Sequence, residues 1–180
     1  MRARHLAWAL TFATFGLAAA TSVLAFVNDG TPLPEDEGNP DVNFLSELVF
    51  SVFFVTFAAL GALLASRRPR NPIGWILCLS PLALGISGLA VGWYIHAFYA
   101  HPGAQLPPAA LVWLANWVWA PGFGLLITAV LLLFPDGRLP SRRWWPAGAL
   151  VGGVVGAVSL GYAFEPGVME DYPRVDNRSG

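Results

Sequence analysis

Apolar residues along this chain gather into long runs at residues 6–27, 44–65, 73–99, 109–134 and 145–164, and short polar segments between them hold nearly all the charge. Each run is long enough to cross a bilayer as a helix, since about 20 residues rising 1.5 Å apiece span roughly 30 Å of hydrocarbon. The pattern predicts an all-α fold: a polytopic membrane helix bundle of five transmembrane helices, followed by a polar tail at 165–180.

Local signals refine the runs. Pro81 lies inside the third, where a membrane helix kinks and continues if neighbours satisfy the freed carbonyl. Pro121-Gly122 predicts an interruption of the fourth, and Pro135-Asp136-Gly137 predicts a turn after it. Trp75 at one end of the third run, and Trp93, Tyr94, His96 and Tyr99 at the other, match the aromatic girdles expected where a helix leaves hydrocarbon. Trp113, Asn116, Trp117 and Trp119 place a second aromatic group at the start of the fourth. Gly88 and Gly92, and Gly148, Gly152 and Gly156, recur every four residues and predict helix-packing seams. The stripe on the fifth helix is the longer of the two.

Composition agrees with this class. Hydrophobic residues make up 56% of the 180 and charged residues only 12%, against about 25% charge in soluble domains. The net charge of -1 conceals a segregation. Arg2, Arg4, Arg67, Arg68, Arg70, Arg138, Arg142 and Arg143 fall at alternate breaks between runs, leaving only Arg174 and Arg178 elsewhere, while every acid but Asp136 lies in or beside the other breaks. The positive-inside rule then puts the amino terminus, the 66–72 loop and the 135–143 loop in the cytoplasm of a plasma (inner) membrane protein, and the carboxyl terminus outside. The first run also admits a signal-peptide reading, with Val23 and Ala25 spaced for cleavage, although its length exceeds the 7–15 residues of a typical signal core.

Candidate chemistry is sparse. Cys78 has no partner for an internal disulfide, and it stands about 27 Å from His96 along a helix, too far for a shared metal site. No metal site, cofactor or catalytic constellation is expected, and no enzyme: nucleophile elbow and phosphate loop are both missing. Glu47 sits near a helix end where it can reach water. The acidic segment 28–43 reads as a solvated connector. The basic loops are short and pinned beside spans, so lipid headgroups rather than nucleic acid are the expected partner. Self-association and a separate membrane or kinase partner stay open. If there is a ligand pocket, its expected wall is Trp93, His96, Trp113, Asn116 and Trp117, near the outer leaflet.

Two loop sequences resemble a known family. Arg67-Arg68-Pro69-Arg70-Asn71-Pro72-Ile73-Gly74-Trp75, and Leu132-Leu133-Phe134-Pro135-Asp136-Gly137-Arg138-Leu139-Pro140-Ser141-Arg142-Arg143-Trp144, are similar to stretches in the amino-terminal membrane region of actinobacterial sensor histidine kinases. The resemblance implies a sensory or anchoring module for an intracellular kinase. The kinase output half itself is missing from these residues, so a truncated or stand-alone sensor-like module is expected. The alternatives are a structural or partner-binding membrane protein and a small transporter.

The orientation is checked by reporter fusions. A fusion after Arg70 is expected to read cytoplasmic and one after Gly180 external; a cytoplasmic reading at Gly180 removes the five-span topology.

Overall fold

A computed structural model of the chain describes residues 2–33, 43–169 and 172–177. Glu35, Asp36, Glu37 and Asp41 of the acidic segment, and Glu170, Asp171 and Arg178 of the tail, lie outside the described residues. Helices α1 (Arg2–Asn28), α2 (Phe44–Arg67) and α3 (Pro72–Ile95) form the first three spans, the third extended by a π-helical turn over His96–Ala100. The fourth comprises α4 (Ala109–Gly124), a π-helical turn (Leu125–Ala129) and α5 (Val130–Leu133), and the fifth is α6 (Trp145–Ala163). All five stretches are long and apolar enough to cross a membrane, so the chain is a multi-pass membrane helix bundle.

The starts are set by local chemistry. Asn43 caps α2 by accepting from the Ser46 N–H at 2.9 Å, and Asn71 caps α3 by accepting from the Ile73 N–H at 2.9 Å. Pro72 and Pro146 stand in the first turns of α3 and α6, where a missing N–H costs nothing. The interruption expected at Pro121-Gly122 occurs further on. The helix runs through Pro121 to Gly124 before widening, and Gly122 is seated against α3: a Cβ there would lie 3.1 Å from Ala83 Cβ and 3.2 Å from the Ser80 carbonyl oxygen.

Helices in lipid gain little from burying apolar surface against each other, so close approach of backbones and interhelical hydrogen bonds must hold them. At the end of the bundle bearing Arg2, Arg67 and Arg68, α1, α2 and α3 meet through Ala7, Ala58, Ala62, Ala65 and Cys78, all without solvent contact. The Thr11 hydroxyl of α1 donates to the Ala58 carbonyl of α2 at 3.0 Å, and Cys78 Sγ of α3 lies 3.8 Å from the same oxygen. A Cβ on Gly61 would fall 2.8 Å from the Cys78 nitrogen, and one on Gly74 would fall 2.7 Å from the Ala65 nitrogen. Gly88 and Gly92 do serve as a seam, facing Thr21 and Leu24 of α1 at 3.4 and 3.3 Å. Beyond this trio, α4 packs on α3 and α6 packs on α4. Large apolar side chains point outward, Phe12, Phe15 and Leu131 among them, the arrangement expected where lipid is the solvent.

Two features go beyond the sequence pattern. The glycine stripe of α6 is not a seam within this chain. Gly152 and Gly156 have nothing within 4 Å of the position a Cβ would take, and at Gly148 a Cβ would meet only Leu139 and Leu132 at ordinary contact distance. The helix docks instead through the face holding Val155 and Ser159, with Gly124 of α4 accepting the Val155 side chain. The polar tail also has structure: β1 (Gly167–Met169) and β2 (Tyr172–Asn177) pair antiparallel. Met169 and Tyr172, 2% and 1% exposed, are buried with Ala90, Tyr94, Val112 and Ala115 of α3 and α4. Two large side chains, Met169 and Tyr172, supply an anchor that the segment's charge pattern conceals.

Substitution of the two kinds of glycine separates them. Gly61→Leu should lower the thermal stability of the detergent-purified protein by about 2 kcal/mol or more, whereas Gly152→Leu should leave the monomer's unfolding unchanged. Equal effects would show that the α6 stripe is packed after all.

Candidate functional site

The sequence places polar residues on one face of α1 at intervals of seven, Thr14, Thr21 and Asn28, and two more one turn apart on α2, Glu47 and Ser51. In the fold these faces converge with the glycine face of α3 around a half-open cavity of about 820 Å³. Thr14, Pro81 and Leu84 line its depth, Phe50 and Phe54 its α2 wall, and Asn28, Asp29 and Glu47 its mouth.

Its polar groups are tied to one another. The Thr14 and Thr21 hydroxyls bond back to the Leu10 and Leu17 carbonyls at 3.0 and 2.9 Å, so they present mainly their methyl groups. Ser22 Oγ donates to Ser51 Oγ at 3.1 Å. The single Ser51 proton has two acceptors at 3.4 Å, Glu47 Oε1 and the Ala18 carbonyl. At the mouth, Asn28 Nδ2 donates to the Gly92 carbonyl at 2.8 Å and its Oδ1 accepts from His96 Nδ1 at 3.0 Å. Asp29 Oδ1 accepts from the Phe44 N–H at 3.4 Å. The described lining includes two carboxylates and no basic side chain, and the segment 28–43 that joins α1 to α2 contains no Arg or Lys. Such a site favours a ligand with an apolar body and a head that donates hydrogen bonds. Among the described residues no three His, Cys, Asp or Glu side chains are placed to hold a metal.

The aromatic residues expected from the sequence to form a wall do not line this cavity. Trp93 Nε1 donates to the Gln105 carbonyl at 2.8 Å, and His96 is turned toward Asn28, its ring 4.6 Å from that of His101. Trp113 and Asn116 face the opposite way, toward α6, donating to the Ala163 and Tyr162 carbonyls at 3.0 and 2.9 Å. Trp117 stacks edge-on against Trp113, centroids 5.8 Å apart, with its indole N–H buried. The gap between α3 and α4 that these residues were to share is filled by Met169 and Tyr172 of the tail, Tyr172 meeting Tyr94 edge-on at 5.4 Å. Of the residues singled out, Glu47, Pro81, Gly88 and Gly92 line the cavity, with His96 touching its mouth through Asn28. The seven-residue spacing of Thr14, Thr21 and Asn28 was the signal that would have found it.

Asn116 is therefore a clamp between α4 and α6. It has no solvent contact, and Asn116→Ala should cost about 1 kcal/mol of folding stability, the scale of an interhelical hydrogen bond in a membrane protein plus a small cavity. Reversible unfolding in mixed micelles measures this; an unchanged stability would show that α6 docks without it.

No protein-family model, no curated protein and no solved structure matches this chain.

Proposed function

We propose that this chain is a non-catalytic sensory module of the plasma membrane, with its amino terminus and arginine loops cytoplasmic, and that the α1–α2–α3 cavity is its ligand site. The observation that carries the reading is the cavity itself, about 820 Å³ with two carboxylates at its mouth and an apolar depth. That volume lies in the range of small-molecule sites, about 300–1,000 Å³. The resemblance of the two arginine loops to those of sensor histidine kinases supports the same reading, with a separate kinase or membrane partner as the receiver. Binding energy for an amphiphile entering from the outer leaflet comes from its apolar body against Phe50, Phe54 and Leu84. Selectivity comes from its head at Asn28, Asp29 and Glu47.

The test is equilibrium binding of a dansyl-labelled alkylamine to the purified full chain in nanodiscs. Ala18→Phe, which fills the cavity from α1, should weaken binding by about tenfold while the unfolding profile is kept. Glu47→Gln should weaken the amine more than a matching neutral alkyl probe. No saturable binding to the parent, or equal binding by parent and Ala18→Phe, would falsify the sensory reading and leave a structural membrane partner.

A further inference from the structure

The two arginine loops, 66–72 and 134–141, lie more than sixty residues apart in sequence and yet form one surface. Gly137, at φ 73°, is pressed against Asn71 and Pro72 so closely that any Cβ there would collide with the Asn71 side chain. The turn is closed by the Gly137 N–H, which bonds the Leu133 carbonyl at 2.8 Å. A cleft of about 660 Å³ opens between the loops, bordered by Arg68, Arg70, Asn71, Asp136 and Arg138.

We propose that this cleft binds a phosphate group, carried on a lipid head or free in solution. Three guanidinium groups border it against one carboxylate, and Arg67, Arg142 and Arg143 add positive charge beside the same two loops. Among the described residues, none of Arg68, Arg70, Arg138 and Asp136 has a side-chain hydrogen bond or ion pair within the chain, so the guanidinium donors are free for an outside acceptor. Asn71 is only 8% exposed. Its Oδ1 is engaged by Ile73, while its amide N–H groups have no acceptor among the described residues. Planar guanidinium forks match the oxygens of a phosphate, and the amide donor of Asn71 beside them adds a short-range contact that a merely basic surface lacks. The cleft sits where α2 ends and α3 begins, beside the exposed ring of Phe134. That is the depth of lipid headgroups.

The experiment is native mass spectrometry of the full chain in neutral detergent with added phosphatidylglycerol, repeated with inorganic phosphate as competitor at constant ionic strength. One phosphatidylglycerol is expected to be retained by the parent. Arg68→Gln/Arg138→Gln should reduce its retention on the order of tenfold or more. Arg142→Gln/Arg143→Gln, an equal loss of charge outside the cleft, should reduce it by no more than about threefold. Asp136→Asn should raise it, the opposite sign, which covers the case in which the double arginine variant fails to fold. Retention undisturbed by millimolar phosphate assigns the site to a lipid head, and displacement by it assigns the site to free phosphate. Equal losses in the two double variants, no rise with Asp136→Asn, or no retention of either phosphate would overturn the proposal.

Discussion

The close approach of α1, α2 and α3 around the Ala58 carbonyl is the constraint on which the rest of the bundle rests. One oxygen receives the Thr11 hydroxyl and faces the Cys78 sulfur, so three helices share a single acceptor. This is possible only because alanine and glycine surround it; Gly61 and Gly74 bring backbone against backbone where no Cβ fits. In lipid, where apolar side chains have no reason to prefer one another, such contact supplies both dispersion and geometry.

Contacts between the three helices continue beyond the arginine-bearing end, where Ser22–Ser51 and Asn28–Gly92 bonds bridge them and Gly88 and Gly92 hold α3 against α1. The cavity lies among these contacts, and two residues that line it, Ser51 and Asn28, also tie the helices. The proposed binding and the architecture therefore draw on the same side chains, Ser51 and Asn28 above all. A ligand head competing for Asn28 or Glu47 would act directly on the contacts between α1, α2 and α3.

The second half of the bundle is organised differently. α4 reaches α6 through Asn116 and Trp113, and α6 keeps its glycine face away from the chain. The β1–β2 hairpin returns to seal the α3–α4 groove with Met169 and Tyr172. Interfacial aromatics that serve a membrane girdle can equally serve as the docking frame for a tail, and Tyr94 does so here.

The number, ends and class of the helices were legible in the sequence, because hydrocarbon thickness imposes a length and forbids charge, and both constraints are local. The turn at Pro135-Asp136-Gly137 was legible for the same reason. Which face of each helix meets which neighbour was not, since in lipid an outward leucine and an inward leucine look alike in the sequence. Glycine stripes on α3 and α6 are indistinguishable as patterns; only the tertiary structure decides that Gly88 and Gly92 are covered while Gly152 and Gly156 are not. The same holds for the candidate sites. Residues such as Asn116 and His96 could be picked out as polar in an apolar run, but whether they face a cavity, a neighbouring helix or each other depends on helix rotation, and that is set by contacts such as Thr11 with Ala58 and Asn71 with Gly137, between residues far apart along the chain.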